Sequence, residues 1–158
     1  MKSTLDIIAT TLRKADQSEV EIYRLLLAQF IGTPYVYGGS SIRGSDCSGS
    51  VCAALSYARN VFLRVTADEL YRNIFTEELP LVYCEKREKK ICAAFFLNKA
   101  GKAVHVAGYA GKGVFVNVSS IETGKTGQKR GLFELRRMYS QFTMVIRAFN
   151  GEEKHGRV

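Results

Sequence analysis

The sequence lacks the features that mark a membrane protein or a metalloprotein. No run approaches the 18 or more consecutive apolar residues of a transmembrane helix, and the N-terminal stretch MKSTLDIIATTLRKADQSE lacks the apolar region and cleavage site of a signal peptide. The four cysteines form no C-x-x-C pair and have no histidines at metal-ligand spacing. We therefore expect no membrane span, no metal and no organic cofactor. The compartment stays open, because a secreted protein without its leader has the same appearance.

Motifs that combine basic and aromatic residues for nucleic-acid binding are also missing, so nucleic acid is not a predicted partner. The formal net charge is nevertheless +8. Two interpretations of this charge stay open, which are solubility alone and attraction to an anionic partner such as an acidic polymer.

No internal repeat or linker divides the chain, and 158 residues fit one domain, so we predict a single domain over residues 1–158. The content of 46% hydrophobic and 24% charged residues is that of an ordinary globular protein. Cys84 and Cys92 flank a charged segment, and whether they form a disulfide stays open.

Helical patterns come first and strand patterns second, which is typical of the α+β class with antiparallel strands. The predicted helices are Thr4 to Lys14, Ser18 to Phe30, one after Asp46, one from Thr66 through Leu70 and Ile74 to Leu79 that ends at Pro80, and Leu132 to Tyr139. The predicted strands are Leu81 to Cys84, Ile91 to Leu97, Val104 to Tyr109, Val114 to Ser119 and Phe142 to Phe149. Residues 85–90 are predicted as a charged turn, and residues 122–131 as a Gly/Lys loop.

The stretch from Gly32 to Asn60 contains the cysteine whose surroundings indicate chemistry. A turning Pro/Gly segment leads to Asp46, which stands where a helix N-cap belongs, so Cys47 lies in the first turn of the predicted helix. Unpaired backbone N–H groups and the helix dipole favour a thiolate there and offer donors for an oxyanion. The carboxylate of Asp46 opposes that thiolate, unless an imidazolium dominates or Asp46 points toward a substrate.

The register of two later strands determines which residues accompany a candidate base. If residues 110–112 form a three-residue hairpin loop, His105 lies directly opposite Asn117, on a face shared with Ala103, Ala107, Phe115 and Ser119. The other face then carries five valines, at positions 104, 106, 114, 116 and 118, as a core stripe. A two-residue loop places His105 and Asn117 on opposite faces instead.

A thiol at a helix start, an imidazole on a strand and a polar residue beside it form a nucleophilic triad. His105 takes the proton of Cys47 or holds it as an ion pair, and Oδ1 of Asn117 fixes the imidazole tautomer. The other histidine, His155, lies in a polar tail and is a poor candidate.

At these residues the sequence resembles the NlpC/P60 cysteine peptidases. The segment FIGTPYVYGGSSIRGSDCSGSVCAAL is similar to the signature segment of that family. The stretch from Arg64 to Ala67, the strand AVHVAGYAG and the strand FVNVSS are similar to later family motifs, and the resemblance covers roughly residues 20 to 149. Where the family usually has Gly-Asp-x-x-x-Phe, this chain has Ala93-Ala94-Phe95-Phe96.

This resemblance implies a papain-like α+β fold, with N-terminal helices packed on a central antiparallel sheet and the nucleophile at a helix N-terminus. It also implies hydrolysis of peptidoglycan stem peptides, typically at the bond between D-glutamate and the diamino acid. Cys47 becomes the nucleophile, His105 the base and Asn117 the third residue of the triad. Tyr35, Asp46 and Ser48 match positions that contact the substrate, and Asp46 is expected to contact the amino group of a peptide N-terminus. The implied place of action is the cell envelope, with a cytoplasmic or phage-borne enzyme left open.

Three alternatives stay open beside this reading. One is a related amidase of the N-acetylmuramoyl-L-alanine type, and another is an amidase that acts on a non-wall amide. The third is a non-catalytic wall-binding or virion structural domain with the same fold, although such a domain has no need for all three triad residues. The basic surface suits an anionic wall polymer in each case.

Overall fold

The computed structural model describes residues 3–151, which form helices, a six-stranded antiparallel sheet and a two-stranded antiparallel sheet of Ser40–Ser41 and Gly44–Ser45. This mixed architecture confirms the predicted α+β class. The helices are α1 (Thr4–Lys14), α2 (Glu19–Ala28), α3 (Cys47–Arg59), α4 (Ala67–Glu69), α5 (Glu85–Lys89) and α6 (Leu132–Met138). The strands are β1 (Ser40–Ser41), β2 (Gly44–Ser45), β3 (Glu77–Leu79), β4 (Cys92–Leu97), β5 (Ala103–Gly111), β6 (Val114–Asn117), β7 (Gln128–Arg130) and β8 (Thr143–Ala148). None of the helices within residues 3–151 combines the length and the hydropathy of a membrane-spanning segment.

The helix starts lie where the sequence places them, because local capping residues determine them. The hydroxyl of Ser18 accepts from the backbone N–H of Glu21 at 3.2 Å at the start of α2. At α4, Thr66 and Glu69 satisfy each other's backbone N–H groups, as the capping-box pattern predicts. Each cap supplies an acceptor to a donor that the helix leaves unpaired.

The large sheet has the strand order β3-β8-β4-β5-β6-β7, with every neighbouring pair antiparallel. Each of its faces carries a separate hydrophobic core. Helices α1, α2 and α3 pack on one face, where the core includes Leu27, Leu55, Phe95 and Val106. Helix α6 covers the other face, where the core includes Phe96, Tyr109 and Tyr139. The sheet therefore separates two packed layers, which we call the α1–α3 layer and the α6 layer.

Three predicted elements between residues 66 and 90 are wrong. The helix begun by Thr66 continues only as a π-helical turn, Leu70–Ile74, and Leu79 lies in strand β3 instead. The run from Leu81 to Cys84 forms no strand, because it finds no burial: Val82 and Tyr83 are exposed. The predicted charged turn is the short helix α5, and the predicted Gly/Lys loop contains strand β7. Cys84 and Cys92 are both free thiols.

Gly49 lets the loop before α3 approach the helix closely. A Cβ added to Gly49 lies 1.9 Å from the backbone carbonyl oxygen of Gly39, a distance that no side chain can accommodate. The same loop leads to Asp46, which accepts the Gly49 N–H at 2.8 Å. A glycine two residues after Cys47 is therefore a packing requirement.

We expect the Gly49→Ala variant to lose about 1–3 kcal/mol of unfolding free energy, because the new methyl group displaces a backbone segment. Urea denaturation measures the loss. The matched control is Gly101→Ala, since a Cβ at Gly101 meets no atom within 4 Å and the cost there comes only from its positive φ of 82°. An equal loss in both variants contradicts the close-approach explanation.

Candidate active site

A cleft of about 710 Å³ opens beside the start of α3. Cys47 lines it together with three residues singled out from the sequence, Tyr35, Asp46 and Ser48. The opposite parts of the cleft are formed by the segment from Arg64 to Glu69 and by residues 102–104 at the start of β5. The cleft thus contains the predicted thiol and the three predicted substrate-contacting residues.

Cys47 is the first residue of α3, as predicted, and Asp46 is its N-cap. Oδ1 of Asp46 accepts from the Gly49 N–H at 2.8 Å and from the Ser48 hydroxyl at 3.2 Å, while Oδ2 accepts from the Gly38 N–H at 2.8 Å. Arg64 donates to both oxygens, at 3.1 and 3.2 Å. Asp46 therefore fixes the helix start to the preceding loop, and the Arg64 guanidinium compensates its charge beside the sulfur.

His105 and Asn117 share a face of the sheet, although the predicted register is wrong by two residues. Gly108 pairs with Val116, which aligns Ala107 rather than His105 with Asn117. The turn has two residues, Lys112 and Gly113, both at positive φ, and a β-bulge between Tyr109 and Gly111 adds one residue. A two-residue turn alone places His105 and Asn117 on opposite faces of the sheet, and the extra residue of the bulge returns them to the same face.

A second bulge changes the predicted face at the start of β5. Phe96 pairs with His105 and Leu97 with Ala103, so Val104 has no partner and its side chain is exposed. The extra residue changes which side chains point to each face of the sheet. Ala103 therefore belongs to the core of the α1–α3 layer and does not share a face with His105. Of the predicted valine stripe, residues 106, 116 and 118 are buried core.

The imidazole of His105 is held from several sides. Its Nε2 lies 2.7 Å from Oδ1 of Asn117. The Tyr139 ring stacks on it, with centroids 4.5 Å apart and an interplanar angle of 24°, and Phe96 contacts it at 5.5 Å between centroids. Because Nε2 is used by Asn117, Nδ1 is the ring nitrogen left to accept a proton.

The sulfur of Cys47 and the imidazole belong to one region of the molecule. The backbone N–H of Val106, the residue after His105, hydrogen-bonds to the sulfur. Burial, above all, raises the pKa of Tyr139, which stacks on His105, and the charges of Glu122 and Cys47 add to the rise. Val106 lies beyond the Gly108–Val116 pair, which is the end of the β5–β6 pairing away from the turn, so the sulfur contacts β5 at that end.

Burial favours a neutral thiol at Cys47 and a neutral imidazole at His105. Burial raises the pKa of Cys47 to about 11, against hydrogen bonds from the amides of Val106, Ser48 and Cys47 itself, and Asp46 adds to the rise. Burial lowers the pKa of His105 to about 4, despite the hydrogen bond to Asn117 and the charge of Glu122. The expectation of a thiolate favoured by the helix start is therefore wrong, because desolvation outweighs the backbone donors.

Three residues around the imidazole were not found from the sequence. Glu122, placed in a predicted loop, is buried and accepts from Nδ2 of Asn117 at 2.8 Å. Arg130 donates to both Glu122 oxygens, with Nε at 2.9 Å from Oε2 and Nη2 at 2.5 Å from Oε1. Tyr139 was predicted only as the end of a helix. No local pattern marks these residues, because their roles depend on contacts between distant segments.

These groups together fit acyl transfer to a thiol. Cys47 offers a nucleophile in an open cleft, His105 a neutral base, and the amides of Cys47 and Ser48 are directed at the sulfur. Such amides are suited to stabilise a developing oxyanion.

Comparison with known proteins identifies relatives over most of the chain. The model of the NlpC/P60 family matches residues 32–142. Murein DD-endopeptidase MepH of Escherichia coli (strain K12) is 35% identical over 117 residues, which are 73% of this chain and 40% of MepH. The chain therefore spans well under half the length of that relative.

Solved structures of low sequence identity share the fold. An NlpC/P60 family protein from Bacillus cereus ATCC 10987 superposes with a TM-score of 0.62 at 19% identity, covering 83% of this chain and 40% of that one. The P60 domain of an antigen from M. avium subspecies paratuberculosis gives a TM-score of 0.59 at 18% identity, covering 82% of this chain and 93% of that domain.

Proposed function

The chain belongs to the NlpC/P60 family, whose members are peptidoglycan hydrolases, and on that basis we propose that it is a cysteine endopeptidase acting on peptidoglycan stem peptides. The observation that carries the proposal is the arrangement of Cys47 in an open cleft with the hydrogen-bonded pair of His105 and Asn117 on the neighbouring strands. We also propose that residues 1–158 act as one catalytic domain.

The reaction begins with a proton transfer. Nδ1 of His105 takes the thiol proton of Cys47, and the sulfur attacks the carbonyl carbon of the scissile amide. The amides of Cys47 and Ser48 receive the oxyanion, and the imidazolium then gives its proton to the leaving amine. Water, activated by the neutral imidazole, hydrolyses the thioester and returns the thiol. A neutral imidazole is required for the first step, since a protonated one cannot accept the thiol proton.

Tyr35, Asp46 and Ser48 are proposed to contact the peptide, because they line the cleft beside the sulfur. Asp46 already accepts hydrogen bonds from Gly38, Ser48, Gly49 and Arg64. An ammonium group of a peptide N-terminus therefore has to share the carboxylate with Arg64. A peptide whose free amino group is acetylated tests this contact: a raised KM supports it, and an unchanged KM contradicts it.

Two bonds are candidates for cleavage. The family resemblance favours the D-glutamyl–diamino acid bond, whereas the similarity to MepH, which is named a murein DD-endopeptidase, favours a DD bond.

Digestion of purified muropeptides, followed by mass spectrometry, tests the proposal. Cleavage after D-glutamate shortens every stem peptide, whereas DD cleavage converts cross-linked dimers to monomers. Release of intact peptides from the sugar identifies an amidase instead. Unchanged muropeptides at every enzyme concentration contradict the proposed function and leave a wall-binding domain.

A further inference from the structure

We infer that Glu122, held by Arg130, is a positioning residue that sets the direction of the hydrogen bonds through Asn117 and thereby the tautomer of His105. This inference rests on the proposed function, because it describes how the proposed base is kept ready. It concerns residues outside the cleft and outside the triad predicted from the sequence.

The primary amide of Asn117 has two possible orientations, which differ in whether its oxygen or its nitrogen faces His105. In the observed orientation the oxygen faces Nε2 of His105 at 2.7 Å, and the nitrogen donates to Glu122 at 2.8 Å and to the Tyr139 hydroxyl at 3.1 Å. Every hydrogen-bonding group of the side chain is then used. The imidazole has to donate from Nε2, so its Nδ1 is free to accept.

Only Glu122 among these neighbours distinguishes the two orientations. The Tyr139 hydroxyl and a neutral imidazole can each donate or accept, so either suits both orientations of the amide. An ionised carboxylate only accepts, and it therefore requires the Asn117 nitrogen on its side. The direction of the hydrogen bonds from Asn117 to Glu122 and from His105 to Asn117 follows from that one requirement.

Arg130 keeps Glu122 in the ionised form that this role needs. The Glu122 side chain is fully buried, and burial by itself raises the pKa of a carboxyl group, yet hydrogen bonds from Arg130 and Asn117 bring the pKa of Glu122 below its ordinary value. Arg130 also donates to Glu134 at 3.2 Å, so the guanidinium is fixed on a second carboxylate at the start of α6.

The test exchanges the carboxylate and the amide between the two positions. Glu122→Gln offers a carboxamide that can donate, so the Asn117 amide loses its fixed orientation, and kcat is expected to fall about 10- to 100-fold with KM nearly unchanged. Asn117→Asp alone places two carboxylates next to each other, and its kcat is also expected to fall. In the double variant the introduced glutamine donates to the introduced aspartate and accepts from Arg130, so the direction is restored and kcat recovers at least about fivefold over either single variant.

The matched control is Glu78→Gln, which makes the same chemical change on an exposed carboxylate that pairs with Arg147 away from the site, and it is expected to leave kcat unchanged. A structural role for Glu122 predicts instead that the two single effects add in the double variant. A double variant no better than its worse parent overturns the inference.

A second measurement separates this inference from the proposed function. Long-range proton–nitrogen NMR spectra of protein labelled with ¹⁵N-histidine report which ring nitrogen carries the proton, and the sequence has two histidines, so a His155→Gln sample assigns the signals. At neutral pH we expect the wild-type His105 protonated at Nε2, and a mixture of tautomers in Glu122→Gln. An unchanged tautomer in Glu122→Gln overturns the inference, even in a protein that hydrolyses no muropeptide.

Discussion

The Cys47→Ala variant is expected to lose hydrolysis of muropeptides by at least about 10⁴-fold, because no other group in the proposed mechanism can form the thioester. Its unfolding free energy is expected to change by about 1 kcal/mol or less, since the side chain packs against the core but keeps some exposure at the edge of the cleft. Product formation by mass spectrometry and thermal denaturation measure the two effects. The expected result is thus a stable protein without activity.

Cys52 provides the opposite pattern as a control. It is fully buried in the core of the α1–α3 layer, where its sulfur contacts the Val65 carbonyl at 3.4 Å. Cys52→Ala is expected to lower the melting temperature and to retain turnover below it. Turnover by Cys47→Ala contradicts the proposed mechanism, whatever the stability of either variant.

Replacement of His105 by glutamine is expected to lower kcat by about 10³-fold or more and to change how stability depends on pH. The pKa of His105 is lowered by burial to about 4, from 6.5 in an unfolded chain. Below pH 6.5 the unfolded wild-type chain therefore binds more protons than the folded one. The stability contributed by the neutral imidazole is complete above pH 6.5 and is lost as the pH falls toward 4, by about 3 kcal/mol in all.

The His105→Gln variant lacks this titration, so its stability should fall less than that of the wild type between pH 6.5 and 4. Urea denaturation at a series of pH values measures the difference, and His155→Gln serves as the control for the other histidine. Parallel pH profiles for the wild type and His105→Gln contradict a buried neutral imidazole.

The part of the candidate site that the sequence predicts is the part determined by local contacts. Asp46 caps the helix whose first residue is Cys47, and both residues stand side by side in the chain. The common face of His105 and Asn117 is also confirmed, although a bulge between Tyr109 and Gly111 shifts the register, because an extra residue leaves no clear trace in an alternating pattern.

The contacts of Glu122 and Arg130 could not be predicted, because each residue is one charged side chain among many in a basic segment. Burial and the ion pair between them arise only when β7 pairs with β6. The failed strand from Leu81 to Cys84 has a related cause. The edge strand of the sheet is formed by Glu77 and its neighbours instead. Lys86 and Lys90 compensate the charge of Glu77, with their Nζ atoms 2.9 and 2.7 Å from its carboxylate oxygens. The apolar pattern alone therefore indicated the wrong segment.

The two proposed reacting groups pack against different hydrophobic cores, one on each face of the sheet. Cys47 packs against the core that the α1–α3 layer forms, whereas His105 contacts Phe96 and Tyr139 of the α6 layer. Thiol and imidazole thus belong to two structural halves that are each stabilised by their own apolar contacts. A substitution that disturbs the packing of either layer is therefore expected to shift one reacting group relative to the other.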